Sequence, residues 1–342
     1  MKQVHNVTTN VLTVSYKDIV MLRPSVNKLA LKIVQQLIDE PELYGVRVEE
    51  LGCGATVIDT GLEASGGLLA GLKVTEIAMG GLGETSLTYV EYGDLTLPTI
   101  VVSTDRPAVS LLGCQLAGWR IRVGDFVGDG SGPARALALK PKKVFKKIGY
   151  QDDHDSAVIV LESSMKPGDE VALFVAEKCG VEAREVYMIL TSTTSYAGST
   201  QISGRIAETG LFKLEYLGLD PNTVLHASGY APVMPPHPDW GVAIGRCEDA
   251  LTYGGFASYL VDVEDEGWLE ELVSKTPSSS STSYGRPSYE IYKEVDFDFT
   301  KIDPALFAPA KVSVTNVRTG RVFTAGRINP EILKLGLEAG PG

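Results

Sequence analysis

Two charged residues of complementary chemistry lie close together in the middle of the chain. Arg205 and Glu208 are three residues apart within residues 200–213, and on a helix this spacing puts both side chains on one face. A carboxylate beside a guanidinium can hold and activate a water molecule, which is the chemistry of general acid–base catalysis. The same spacing is more often that of a surface ion pair that adds little stability, so spacing alone does not decide between the two interpretations.

The residues before this pair are rich in hydroxyl groups. Residues 191–200 read TSTTSYAGST, a composition typical of a loop that leads into a helix. The pair is therefore predicted to lie on a helix that follows a polar loop. Gly210 is predicted to end that helix.

Two further loops carry candidate binding residues. Asp105 follows a predicted strand at 99–103, where polar residues of α/β proteins often face a ligand; a helix N-cap is the alternative. The glycine-rich stretch 124–135 holds Ser131 and Arg135 and offers backbone donors to an anion, although a tight turn that caps the next helix is favoured. The stretch matches neither nucleotide-binding motif, so a nucleotide site is not supported.

The sequence does not predict a metal or a disulfide. The four cysteines, at 53, 114, 179 and 247, form no C-x-x-C pair. The run Asp152-Asp153-His154-Asp155 is predicted to be an exposed loop, and the histidines lack the spacing of a metal site. An enzyme of this sequence is therefore expected to need no cofactor.

Charge and hydropathy exclude some partners. The 342 residues include 31 basic and 43 acidic side chains, a net charge of -12, which argues against nucleic acid as a partner. The sequence has no run of about 18 consecutive apolar residues, which is the length needed to span a membrane. With reduced thiols, these features predict a soluble cytoplasmic protein.

The elements that must position the polar residues follow from periodicity. Residues 99–215 alternate predicted strands and helices, which implies an α/β layer. A helix is predicted from the N-cap Ser25 to Pro41. The remaining predictions are strands at 46–51, 56–59, 73–79 and 85–92, a helix at 169–179, a serine-rich mobile surface loop at 277–283, a hairpin at 311–325 and an N-terminal arm at 1–24.

Several long strings together resemble one family, the methenyltetrahydromethanopterin cyclohydrolases, over about residues 25–335. The resemblance implies an α/β (α+β) bipartite fold with a deep pocket between two lobes, and a homotrimer. It also implies a cofactor-free reaction of archaeal-type one-carbon metabolism, in which water interconverts the N5,N10-methenyl and N5-formyl forms of tetrahydromethanopterin. The strings are GDGSGPARALALKP at 128–141, LESS at 161–164, QISGRIAETG at 201–210, YGG at 253–255 and YKEVDFDFTKIDPALFAPA at 292–310.

The resemblance also assigns roles to residues. The family's catalytic arginine and glutamate fall on Arg205 and Glu208, with Glu208 as general acid and base and Arg205 keeping its carboxylate ionised. One position departs from the family, because Leu116 stands where a lysine precedes Ala-Gly-Trp, and this puts substrate affinity and pH optimum in doubt. The predicted substrate-binding residues are Asp105, Ser131, Arg135, Gln201 and Ser203.

Two questions stay open at this stage. The lobes are predicted as a discontinuous, β-rich first lobe of residues 25–98 and 250–342, and an α/β second lobe of residues 99–249. The alternatives to the cyclohydrolase are a pterin-binding protein of the same fold without turnover, and the same reaction on a tetrahydrofolate derivative. The direction of the reaction and the pterin variant are not predicted.

Overall fold

A computed structural model describes residues 23–340, so almost all of the predicted arm lies outside the described residues. Within this range the chain forms twelve helices and twelve strands, besides short 3-10 turns and a π-helix at Ala108–Gln115. The helices are α1 Val26–Asp39, α2 Pro41–Tyr44, α3 Leu68–Ala78, α4 Ala134–Ala138, α5 Lys142–Ile148, α6 Asp169–Cys179, α7 Tyr196–Ser203, α8 Ile206–Tyr216, α9 Trp240–Thr252, α10 Glu266–Ser274, α11 Ser288–Glu294 and α12 Pro330–Glu338. The strands are β1 Arg47–Glu50, β2 Thr56–Asp59, β3 Glu84–Tyr92, β4 Leu95–Thr104, β5 Trp119–Val123, β6 Phe126–Ser131, β7 Ala157–Glu162, β8 Val186–Thr191, β9 Val224–Pro232, β10 Phe256–Val261, β11 Lys311–Asn316 and β12 Val322–Gly326.

The strands form two six-stranded sheets, which confirms the mixed α/β class. The first sheet has the order β1-β2-β8-β7-β6-β5, with β2, β8 and β7 parallel. The second has the order β12-β11-β10-β9-β4-β3, and only β10 and β11 in it are parallel. In β7, Val158 packs on the face covered by α1 and α3, whereas Ile159 packs on the face covered by α6. Successive side chains of a strand point to opposite faces, so the first sheet is buried on both sides.

The predicted lobes do not follow these sheets. Strands β1 and β2 come from the predicted first lobe but lie in the sheet that holds β5 to β8 of the predicted second lobe. The boundary at 98/99 falls inside β4, which pairs with both β3 and β9 in the second sheet. The division into lobes and the deep pocket between them stay predictions.

Helix α1 forms as predicted because it has both a cap and an apolar face. The hydroxyl of Ser25 accepts from the backbone N–H of Lys28, as an N-cap does. Asp152, from the run predicted to be exposed, is 4% exposed and accepts from the backbone and the side-chain amide of Asn27 at 2.9 and 2.8 Å. Asp152 therefore anchors the start of α1, which corrects the prediction that it lies in an exposed loop.

The strand predicted at 73–79 is wrong, because these residues belong to helix α3. Val74, Thr75 and Ile77 favour strands locally, but Ala70, Val74 and Ile77 recur at helical spacing and are fully buried. Gly71 lets α3 approach α7, since a Cβ there would lie 2.4 Å from Cβ of Thr200. Tertiary packing thus overrides the local preference.

Gly210 does not end the helix that carries Glu208. Helix α8 continues to Tyr216, and Gly210 lies where a Cβ would be 2.2 Å from the hydroxyl oxygen of Tyr259. That hydroxyl donates to the backbone oxygen of Ala207 at 2.7 Å. The glycine is therefore needed for close packing of α8 on β10, and it is not a terminator.

The serine-rich segment 277–283 is packed and hydrogen-bonded, so the prediction of a mobile surface loop is wrong. Ser278 is fully buried and its hydroxyl donates to the backbone oxygen of Thr252 at 2.6 Å. The hydroxyl of Ser281 donates to Oδ2 of Asp303 at 2.7 Å. Hydroxyl groups here satisfy buried acceptors that composition does not reveal.

The hairpin predicted at 311–325 is confirmed as the antiparallel pair β11 and β12. Within residues 23–340 no helix has the length and apolar character needed to cross a membrane.

Candidate active site

Arg205 lies at the break between α7 and α8 and is only 9% exposed. Its Nε and Nη2 atoms donate to Oε1 of Gln201 at 3.1 and 3.0 Å. Nη2 also donates to the hydroxyl of Ser131 at 3.1 Å, and Nη1 donates to the backbone oxygen of Gln115. Neutral oxygen atoms therefore hold the guanidinium, and within residues 23–340 no carboxylate pairs with it.

Glu208 lies in the first turn of α8 and is 6% exposed. Among the residues described, none donates a hydrogen bond to its carboxyl group. Burial raises the pKa of Glu208 to about 7, while the positive charges of Arg205 and Arg135 act in the opposite direction. A carboxyl group with a pKa near neutrality can both accept and donate a proton at pH 7.

Arg135 is fully buried, and its positive charge acts on Glu208. Its Nε donates to the backbone oxygen of Lys140 at 2.8 Å, and its Nη1 lies 2.8 to 3.2 Å from three carbonyl oxygens at the end of the π-helix, those of residues 112, 113 and 114. Burial lowers the pKa of Arg135 to about 10, so it stays positively charged at neutral pH. Its Nε and Nη1 therefore donate to backbone oxygens, and its buried Nη2 has no hydrogen-bond partner among the described residues.

Gln201 connects Arg205 to a second carboxylate. While its Oε1 accepts from Arg205, its Nε2 donates to Oε2 of Glu162 at 3.1 Å. The other oxygen of Glu162 accepts from the hydroxyl of Thr193 at 2.5 Å. The geometry brings the predicted residues Arg205, Gln201 and Ser131 into one hydrogen-bond network, which also contains Glu162 and Thr193.

Besides Arg135, which donates only to backbone oxygens outside this network, two predicted binding residues lie apart from it. The hydroxyl of Ser203 is fully buried and donates to the backbone oxygen of Pro232 at 2.8 Å. Asp105 pairs with Nδ1 of His226 at 2.7 Å and lines a separate groove of about 360 Å³ with Gly83 and Thr104. The binding roles of both residues stay predictions.

A cavity of about 220 Å³ opens beside Glu162. It lies where the parallel strands β7 and β8 end, and ligands of α/β sheets bind outside the carboxyl ends of such strands. The lining includes Asp129, Glu162, Ser163, Thr193 and Trp240. One end of the hydrogen-bond network therefore faces a cavity in which a small molecule can bind.

Leu116 lines a different cavity, of about 540 Å³, next to α8. Phe212 and Glu215 also line it, and they follow Glu208 by four and seven residues, the spacing of one helix face. At the position where the resemblance implies a lysine, Leu116 therefore contributes an apolar side chain to a cavity beside α8.

Sequence reasoning missed several residues of the site. The sequence indicates Glu162 only within the matching string at 161–164, although a polar residue at the end of a buried strand is a signal for a ligand crevice. Gln115 holds Arg205 through its backbone oxygen, which no side-chain pattern reveals. Trp240 lies far along the chain from the other residues that line the cavity beside Glu162, and no sequence motif indicates it.

Within residues 23–340 no group of three or more histidine, cysteine or acidic side chains has the geometry to hold a metal ion.

Residues 25–337 match the family model described as Cyclohydrolase (MCH). The chain is 44% identical to the methenyltetrahydromethanopterin cyclohydrolase of Methanothermobacter thermautotrophicus over 314 residues, which cover 90% of this chain and 98% of that protein.

Two other archaeal relatives give the same result. The chain is 44% identical to the protein of that name from Methanocaldococcus jannaschii over 92% of this chain and 98% of the relative. It is 41% identical to the one from Methanococcoides burtonii over 90% of this chain and 97% of the relative. With the family model matched over most of its length, the chain belongs to the methenyltetrahydromethanopterin cyclohydrolase family, a family of hydrolases.

Proposed function

We propose that the protein interconverts N5,N10-methenyl-tetrahydromethanopterin and N5-formyl-tetrahydromethanopterin with water, with Glu208 as the general acid and base. The names of the relatives support the substrate and the reaction. The observation that carries the assignment of Glu208 is its buried carboxyl group, whose pKa is about 7 and which has no hydrogen-bond partner within residues 23–340. That group is available to a water molecule or to substrate.

In the first step, water attacks the bridging methenyl carbon, which is the electrophile of a cationic amidinium. The water oxygen forms a bond to this carbon while Glu208 accepts one water proton, so the substrate becomes a neutral carbinolamine. The positive charges of Arg205 and Arg135 favour the ionised form of Glu208 before the attack. The carboxylate is the base at this stage.

In the second step, the carbinolamine collapses. The bond between the former methenyl carbon and one nitrogen breaks, and Glu208 donates its proton to that nitrogen. The hydroxyl loses its proton as the formyl C=O forms, so the overall hydrolysis releases one proton to solvent. The buried guanidinium of Arg205 is proposed to stabilise negative charge that develops on this oxygen.

The protein is further proposed to act without a cofactor, as a cytoplasmic homotrimer in archaeal-type one-carbon metabolism. Family membership supports this proposal. Light scattering on the purified full-length chain checks the assembly, and a mass of one chain would contradict the trimer.

The reaction is tested by the near-ultraviolet absorbance of methenyl-tetrahydromethanopterin after chelator treatment of the enzyme. We expect the methenyl band to disappear with wild type, and Glu208→Gln to lower kcat by at least about a hundredfold, the scale of general acid–base catalysis. Glu215→Gln is the matched control, because Glu215 lies on the same helix but pairs with Lys147.

Two outcomes would contradict parts of this proposal. Binding of the pterin without conversion by wild type would identify a non-catalytic binding protein. Faster conversion of methenyl-tetrahydrofolate than of the methanopterin compound would reassign the substrate.

A further inference from the structure

Trp240 forms one wall of the cavity beside Glu162. It is the first residue of α9 and is 45% exposed. Its ring contacts those of Phe297 and Phe299, with centroid distances of 5.6 and 6.5 Å. The N-cap Asp239 accepts from the backbone N–H of Val242 at 2.9 Å and fixes the start of the helix. The indole is therefore held in place while almost half of its surface is open.

The segments that follow β7 and β8 also line the cavity, and internal hydrogen bonds hold them. The hydroxyl of Ser163 donates to the backbone oxygen of Val127 at 2.7 Å and accepts from the N–H of Met165 at 3.0 Å. Thr193 donates to Glu162 across the two segments. The cavity therefore combines hydrogen-bonded polar groups with the indole of Trp240.

This combination of an aromatic face and fixed polar groups suits one class of ligand. A flat heteroaromatic ring gains dispersion and quadrupole attraction on an indole face, and its N–H and carbonyl groups need polar partners at the edges. Binding sites for such rings combine apolar walls with a few placed polar groups. The cavity of about 220 Å³ offers both.

The cavity also connects to the residues of the proposed reaction. Glu162 lines it, and Gln201 joins Glu162 to Arg205 through two hydrogen bonds, each of 3.1 Å. A ring held in the cavity would therefore be connected to Arg205 through two side chains, those of Glu162 and Gln201. The methenyl bridge, which is fused to that ring, extends from it.

We propose that the open face of Trp240 stacks on the flat bicyclic ring of the substrate, and that Trp240 determines the affinity of the enzyme for this ring. The inference rests on the proposed function, because that function supplies the ring. Trp240 contacts no reacting bond in this arrangement, so its loss weakens binding more than turnover.

The test compares Trp240→Ala and Trp240→Phe with wild type in the absorbance assay. We expect Trp240→Ala to raise KM by about tenfold, which corresponds to about 1.4 kcal/mol, with a much smaller change in kcat. Trp240→Phe keeps an aromatic face and restores most of the affinity. Trp268→Ala is the matched control, because Trp268 is also partly exposed, at 37%, but lies on α10 away from the cavity.

A second readout uses tryptophan fluorescence, since the chain has three tryptophans. Titration with N5-formyl-tetrahydromethanopterin should quench the fluorescence of wild type and of Trp268→Phe, and most of this quenching should be lost in Trp240→Phe. Wild-type turnover together with an unchanged KM in Trp240→Ala would overturn this inference and leave the proposed function standing. Absence of both pterin binding and turnover in wild type would overturn both.

Discussion

Arg205 and Glu208 lie three residues apart, yet no hydrogen bond or ion pair joins their side chains. The guanidinium of Arg205 is held by Gln201, Ser131 and the backbone of Gln115. Arg205 therefore influences Glu208 through its charge alone, and burial outweighs that influence, so that the pKa of Glu208 is raised to about 7. The carboxyl group keeps its oxygen atoms free for water and substrate.

The first prediction concerns the pH dependence of hydrolysis. Glu208 must be ionised to act as a base, so kcat/KM should fall as pH drops below about 7. Arg205→Gln removes a positive charge that favours the carboxylate, so the pKa of Glu208 rises further. The acidic limb, the part of the pH profile where kcat/KM falls, then moves to higher pH. Arg205→Lys keeps the charge and should leave the limb near its wild-type position. A limb at the same pH in the glutamine variant would contradict this electrostatic role.

The second prediction concerns the link through Gln201. Gln201→Leu removes both hydrogen bonds from Arg205 to the amide oxygen and leaves buried donors unpaired. Because a hydrogen bond to a charged group contributes about 1.5–3 kcal/mol, kcat/KM should fall by at least about tenfold. Ser199→Ala, on the same helix, removes a hydrogen bond to the backbone oxygen of Met234 outside the network and should lower thermal stability while it changes kcat/KM little. Equal effects of both variants on kcat/KM would argue against the link.

The sequence correctly predicted those elements whose apolar period and end signals lie within the element itself. Helix α6 matches its predicted bounds 169–179, with Gly180 in the left-handed conformation after it, because both the apolar period and the terminator lie within the segment. The β-branched residues of α3 predict a strand locally, whereas the helix packs against α7, whose residues are over a hundred positions away along the chain. Contacts of that range leave no signal in a short window.

Contacts between residues far apart along the chain also limited what the sequence could predict about the candidate site. The types and spacing of Arg205 and Glu208 predicted that they matter, but the partners that hold Arg205 come from elsewhere. Gln115 is 90 residues away from Arg205, and Glu162 is 39 residues away from Gln201. Packing of α8 on the π-helix and the pairing of β7 with β8 bring these segments together, so the sequence predicted the charged pair and missed the network around it.

The third prediction concerns Gly198, which lies where α7 contacts the hydroxyl-rich loop. A Cβ at this position would lie 1.9 Å from the backbone oxygen of Ser192, so Gly198→Ala must displace the loop. We expect a loss of about 1–3 kcal/mol in stability, as for other overpacked sites, and a drop in kcat/KM because Thr193 moves with the loop. Thermal unfolding and the absorbance assay measure the two effects.

Gly168→Ala is the control for this variant. Gly168 precedes a helix as a cap residue, and a Cβ there meets no atom within 4 Å. Its activity should stay close to that of wild type, and its stability should fall by less than about 1 kcal/mol, because alanine is a poorer N-cap than glycine. A Gly198→Ala variant as stable and active as Gly168→Ala would show that the loop tolerates displacement.

The fourth prediction concerns Asp249, a fully buried carboxyl group outside the proposed reaction. Burial raises its pKa from 3.8 to about 8. Between these values the folded state keeps a proton that the unfolded chain releases, so this group lowers the free energy of unfolding as pH rises through the window. Asp249→Asn cannot titrate, so its stability relative to wild type should increase from pH 5 to pH 8, whatever the fixed effect of the substitution is.

Asp303→Asn provides a control of opposite sign. Hydrogen bonds from the N–H of Ala305 and the hydroxyl of Ser281 lower the pKa of Asp303. The ionised carboxylate therefore stabilises the fold fully above the ordinary pKa of 3.8. This stabilisation is lost only as pH falls through the lowered pKa. The stability difference between Asp303→Asn and wild type should therefore be the same at pH 5 and pH 8 in urea unfolding. A constant difference for Asp249→Asn as well would mean that Asp249 is ionised in the folded protein, because only a carboxyl group that holds its proton in the fold produces the expected slope.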